Sequence, residues 1–324
     1  MITKEWIKKY KDYILVLGTI LLGCIIYWNY IIGHFSAEAY SVALGFKNYG
    51  INAHLVDGRL FSCLLFLLAD SIKIPFLIFV SISSVLAIII ASIAVFELKQ
   101  TITQLVKLNV LQEIVVWVIS YCTIFNFMMV EIMYFPEACV MVASILFYII
   151  SAKLIIQRKY VYSFLILIIA VFCYQGAIGF FIASSFLFSI IKNKKIGKEV
   201  LLDMLRIAIM GIIASGLNLV FIKVTSGVLD LYQHKKFNFN IQSIIDNIKF
   251  ILSNVYEVLL KNCGLFPKCL LLIFVEIILI FSLAVSNYEK KYNVITLIIL
   301  ILLRNCNYFI HFYKSFFKTS YRHF

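Results

Sequence analysis

The chain has 324 residues, of which 63% are hydrophobic and only 14% charged, with a mean hydropathy of +1.00 and a net charge of +13. A soluble domain has about a quarter of its residues charged, so this chain has too few polar side chains to cover a water-facing surface. The same figures, with 3 Pro and 13 Gly, exclude a disordered chain, a collagen and a disulfide scaffold.

The excess of Lys and Arg reads as membrane anchoring at the cytoplasmic ends of spans. No zinc, RNP or helix-turn-helix pattern accompanies it, so no nucleic-acid partner is expected. The 8 cysteines lie mostly in apolar runs without a CxxC and read as small buried hydrophobes. The expected architecture is all-α: a polytopic membrane helix bundle forming one membrane domain over residues 1–324.

Taken in chain order, a basic start is followed by an apolar run from Asp12 that predicts a first span over 12–33. It lacks a small-residue cleavage site and is read as retained, with a cytoplasmic N-terminus. Residues 34–73 form a first external loop with two amphipathic stretches. In the second, from Arg59 to Asp70, Leu60, Leu64, Leu67 and Leu68 recur at helical spacing, which predicts a helix lying on the membrane surface. Spans follow over 74–96, 112–130 and 138–156, since about 20 apolar residues are needed to satisfy every backbone amide across hydrocarbon. The run from Val161 to Ile191 has basic segments on both sides and so must cross twice. It predicts a hairpin of two short helices turning near Tyr174-Gln175-Gly176. A span over 200–222, a second large external segment over 223–262, and spans over 267–286 and 292–311 bring the total to about nine crossings. Pro75, Pro136 and Pro267 each then stand at the external start of an inward-running helix.

Ionisable residues near hydrocarbon ask for a reason. Glu38, in HFSAEAY, reads either as a solvated loop acid or as a general base whose pKa rises beside lipid. Asp57, in HLVDGRLF, reads as a second candidate for the same base or as a turn residue beside Gly58. Arg59 can bind a lipid phosphate, pair with an acid, or anchor the surface helix. Glu131, flanked by apolar residues in NFMMVEIMYFPEA, is expected to face a polar cavity near Tyr134. Tyr174 and Gln175 offer a hydroxyl and an amide to an occupant of the bundle, or bond helix to helix. No HExxH, GxSxG, GxxxxGK[ST] or GxGxxG occurs in a usable context.

In this order, an acid just outside the first span, DGRLFSCLLFLL, VEIMYFPEACVMVASILFYI and FCYQGAIGFFIASSFL resemble the glucosyltransferase II family, bacterial integral-membrane enzymes known from phage-encoded serotype conversion. The likeness spans roughly residues 10 to 290, and GR and YQ are its most specific parts. The resemblance implies a GT-C-like glycosyltransferase in a bacterial inner membrane. Such an enzyme moves a hexose, in this family glucose, from a polyprenyl-phosphate donor to a cell-surface polysaccharide such as an O-antigen, or to a lipid-linked glycan. Membrane lipid and the surface glycan acceptor are the other partners. Family members carry paired aspartates after the first span; SAEAY offers the single Glu38, which keeps Asp57 in contention. The family's continuation beyond the last spans is missing, which implies a shortened copy of reduced activity. On this reading Glu38 or Asp57 is the catalytic base, and Arg59, Lys235 and Lys236 receive the donor phosphate. Glu131, Tyr134, Tyr174 and Gln175 hold the sugar, and Glu38 with Asp57 could share a divalent cation. A transporter or flippase for lipid-linked glycans, and a polysaccharide polymerase, are the competing readings.

Overall fold

The computed structural model describes residues 4–33, 42, 45–193, 198–229, 242, 245–246 and 249–250. The chain divides into two compact units, residues 1–234 and 235–324, and the fold described below is that of the first. Glu38, Lys235, Lys236, Pro267 and the spans expected over 267–286 and 292–311 lie outside the described residues.

Every described element is helical. In chain order they are α1 (Lys4–Ile26), α2 (Trp28–Ile31), α3 (Phe46–Tyr49), a π-helical turn (Gly50–Leu55), α4 (Leu60–Ser71), α5 (Phe76–Leu105) and α6 (Val110–Ile124). There follow α7 (Phe127–Met133), α8 (Ala138–Ile156), α9 (Tyr160–Cys173), a 3-10 turn (Gln175–Ala177), α10 (Ile178–Asn193) and α11 (Lys198–Val228). Helices α5, α8, α11 and the continuous stretch Gln175–Asn193 are long and apolar enough to cross a membrane; α4, α6 and α9 are shorter apolar helices. Large apolar side chains such as Leu201, Leu205, Ile212 and Val220 of α11 are exposed, as the surface of a membrane protein requires.

The helix directions can be read from paired contacts. Helices α1 and α6 run in the same direction. Lys11 pairs with Glu113 near their starts, Trp117 Nε1 donates to Thr19 Oγ1 at 3.2 Å midway, and the Tyr27 hydroxyl donates to the Asn126 carbonyl at 3.4 Å at the far end. Helix α5 runs against them, with Lys99 Nζ donating to Asp12 Oδ1 at 2.9 Å. Helices α5 and α8 are parallel and in register. Ser83 Oγ accepts from the Cys139 amide at 3.2 Å, and the same number of residues further along each helix Lys153 Nζ donates to Glu97 Oε2 at 2.9 Å. Small buried residues on both faces, among them Ser84, Ala87, Ala91, Ser144 and Ala152, allow this close approach, which in lipid relies on packing and hydrogen bonds and not on water release. Helix α9 returns along α8, and the hydroxyls of Ser151 and Ser163 each donate to the other residue's carbonyl at 2.9 and 2.8 Å.

Most of the described basic residues therefore collect at one end. Lys192 Nζ donates to the Ile156 carbonyl at 2.7 Å, and Arg206 Nη1 donates to Asp203 Oδ1 at 3.1 Å and to the Tyr160 hydroxyl at 3.2 Å. The opposite end gathers the turn before α4, the start of α8, the α9 to α10 turn and the later part of α11.

Several boundaries differ from the expected spans, each for a local reason. Helix α5 runs past the expected residue 96 to Leu105, because Glu97 and Lys99 have ion-pair partners and need not leave the helix. The expected span over 112–130 stops at Ile124, where the Asn126 side chain donates to the Thr123 carbonyl at 2.7 Å and competes with continued helix. It starts at a capping box in which Asn109 and Gln112 bond each other's backbone amides. The expected hairpin is present, with extended Tyr174 (φ −161°) ending α9. Helix α4 forms as expected. Ser62, Cys63, Phe66 and Ala69 are buried, while Leu64 and Leu68 of the leucine stripe are exposed. In a lipid-bathed helix the apolar stripe has no need of the protein interior.

Candidate functional site

The end opposite the basic residues holds a buried polar cluster built from four separate parts of the chain. The Asp57-Gly58-Arg59 turn leads into α4 with Gly58 at φ +76°, a left-handed conformation that glycine adopts without strain. A Cβ on Gly58 would also lie 2.6 Å from Asn218 Oδ1 and 2.8 Å from Ile222 Cγ1, so the residue is required twice over. Asn218 of α11 donates from Nδ2 to the Gly58 carbonyl at 2.8 Å. Gln175 Nε2 donates to Asn218 Oδ1 at 2.9 Å and to the Asp57 carbonyl at 2.5 Å. The two amide side chains thus lock the turn before α4 to the α9 to α10 turn and to α11. Tyr174 is anchored in turn, since its carbonyl accepts from the Tyr148 hydroxyl at 3.1 Å.

The second half of the cluster is ionic. Glu137, the residue before α8, is 0% exposed, and its Oε1 lies 3.6 Å from Arg59 Nη1 and 3.5 Å from His54 Nε2. The Arg59 guanidinium also lies over the Tyr174 ring, 5.1 Å from its centre. The Arg59 side chain keeps 16% exposure, so one edge of this buried pair reaches the surface. His54 is stacked on Phe66 at 5.0 Å with an interplanar angle of 17°, and Tyr49 meets it edge-on at 5.0 Å. Leaving one charge of the buried Arg59–Glu137 pair without its partner costs about 3–5 kcal/mol, so these two residues stand or fall together.

Phe66 in turn packs on Phe79 at 5.5 Å, and Phe79 lines an apolar cleft of about 210 Å³ between α4 and α5. Leu65, Leu68, Ile72, Ile82 and Leu86 form its walls. Within α4, burial pushes the Cys63 thiol up from its ordinary value, which suits packing and not nucleophilic attack.

Of the residues expected at a site, Asp57, Arg59, Tyr174 and Gln175 are brought together. Both hydrogens of the Gln175 amide nitrogen are taken by internal acceptors, so this group orients the turns and does not reach toward an occupant. Tyr134 instead meets Tyr30 of α2 edge-on at 5.3 Å, and Glu131 is half-buried in α7. Among the described residues no group of three His, Cys, Asp or Glu side chains could hold a metal ion. His54, Glu137 and Asn218 were not singled out from the sequence. Each left a signal: Glu137 follows Pro136 at a helix start, Asn218 interrupts an apolar span, and His54 belongs to the HLVDGRLF stretch. No protein-family model, curated protein or solved structure matches the chain.

Proposed function

We propose that this protein is a membrane glycosyltransferase that moves a hexose, in the first instance glucose, from a polyprenyl-phosphate donor to a glycan at the outer face of a bacterial inner membrane. The observation that carries the reading is the meeting of the Asp57-Gly58-Arg59 turn with Tyr174-Gln175, 118 residues later in the chain, at the end of the bundle away from the basic segments. These are the two motifs on which the family resemblance is most specific. The nearby cleft between α4 and α5 is lined mainly by apolar side chains and supplies room for part of a lipid tail.

In the proposed reaction the acceptor hydroxyl attacks the anomeric carbon, forming the new C–O bond as the bond from that carbon to the phosphate oxygen breaks. The phosphate leaves on its lipid with the electron pair, and the hydroxyl proton passes to a carboxylate, Glu38 or Asp57. Arg59 neutralises the charge that builds on the leaving phosphate. Tyr174 supports Arg59.

The test compares surface glycan from cells producing wild type, Glu38→Gln, Asp57→Asn and Arg59→Gln. Arg59→Gln lowers glucosylation at least about a hundredfold, as does the carboxylate variant that removes the base. Full glucosylation in both carboxylate variants eliminates this mechanism.

A further inference from the structure

Glu137 is the most deeply buried charged residue of the cluster, and the proposed reaction gives it no task. It cannot be the base itself, because Arg59 and His54 stand on its Oε1 and no part of it reaches the surface. Beside His54, it touches Arg59, the described residue assigned to the donor phosphate. From this geometry we propose that Glu137 is a positioning residue that fixes the Arg59 guanidinium against the Tyr174 ring, and that it lowers the hold of Arg59 on an anionic lipid head group. The inference rests on the reading that Arg59 receives a lipid-linked phosphate.

Both effects follow from the distances. An arginine at the start of a helix has a long, freely rotating stem, and a carboxylate at 3.6 Å on one edge with a ring at 5.1 Å on one face leaves its plane a single orientation. His54 holds the same carboxylate oxygen from a second side at 3.5 Å and is itself fixed by Phe66 and Tyr49. Glu137 therefore cannot swing away to follow a departing guanidinium. Its carboxylate competes with any anion that approaches Arg59 from the exposed edge, because the guanidinium divides its charge between the two.

The test measures binding of citronellyl phosphate, a short isoprenoid phosphate, to the purified full chain in nanodiscs. Wild type binds it and Arg59→Gln binds it at least about tenfold more weakly. Glu137→Gln tightens binding roughly tenfold when Arg59 is present, because the guanidinium no longer shares its charge with an internal carboxylate. In the Arg59→Gln background the same substitution changes affinity less than about twofold, since a residue acting through Arg59 has nothing left to act on. Glu137→Asp, which keeps the charge, stays within about threefold of wild type. If Glu137→Gln does not fold, Glu137→Asp carries the test through glucosyl transfer, with a lower kcat at unchanged donor KM as the expected mark of a displaced guanidinium. Absence of binding by wild type, or an equal effect of Glu137→Gln in both backgrounds, overturns the proposal. A protein that binds the phosphate with this pattern yet transfers no glucose defeats the transferase reading alone.

Discussion

Asp57, Gly58 and Arg59 are three neighbours with three separate tasks: a carbonyl that accepts from Gln175, a left-handed backbone, and a cation set against Glu137. Gly58 is the residue on which the other two depend. Gly58→Ala adds a left-handed strain of about 1–2 kcal/mol and drives a methyl group into the Asn218 amide and Ile222. We expect it to lower stability by more than about 2 kcal/mol and to reduce activity with it, measured as the unfolding midpoint in detergent. An unchanged midpoint would show that the turn can rearrange away from α11. The sequence offered Asp57, Arg59, Tyr174 and Gln175 because polar side chains in apolar surroundings are conspicuous. It could not rank Glu137 above Glu131, since the two acids stand in the same short stretch. Burial alone separates them, and burial depends on which helices pack beside each.

At the scale of elements, the parallel pairing of α5 and α8 is the frame that sets the site. It is pinned at one end by Ser83 and Cys139 and at the other by Glu97 and Lys153. The ion pair is partly exposed, with side chains at 23% and 19%, so its individual value is modest. Glu97→Leu should cost about 1–2 kcal/mol by stranding Lys153, and Glu97→Leu with Lys153→Leu should recover most of it, as replaced ion pairs commonly do. Unfolding midpoints of the single and double variants decide this; a double variant weaker than the single would mean that the charges set helix register. The existence of these helices was legible from hydropathy, and the hairpin turn at Tyr174 from the charge pattern beside it. Their ends were not, because each is decided by one partner: Asp12 and Lys153 for α5, the Asn126 side chain for α6.

For the molecule as a whole, the alternating helix directions place the basic turns at one end and the polar cluster at the other. If the bundle spans a membrane with the basic end inside, Arg158→Cys, in the exposed turn between α8 and α9, is labelled from the cytoplasmic side. Lys73→Cys, in the exposed turn between α4 and α5, is labelled from the opposite side. Impermeant maleimides applied to intact cells and to inverted vesicles distinguish the two. Labelling of both positions from one side would refute the orientation on which the outer-face site depends.

The amino-acid order by itself determined that this chain belongs in a membrane, that it is helical, and where most of the helices lie. Apolar length and the need to satisfy backbone amides in hydrocarbon are local properties, written residue by residue. Only the tertiary structure decided which polar residues meet. The His54–Gly58 stretch, Glu137, Gln175 and Asn218 come from four separate segments, and a buried charge reveals its purpose only through the partner that packing brings to within a few ångströms.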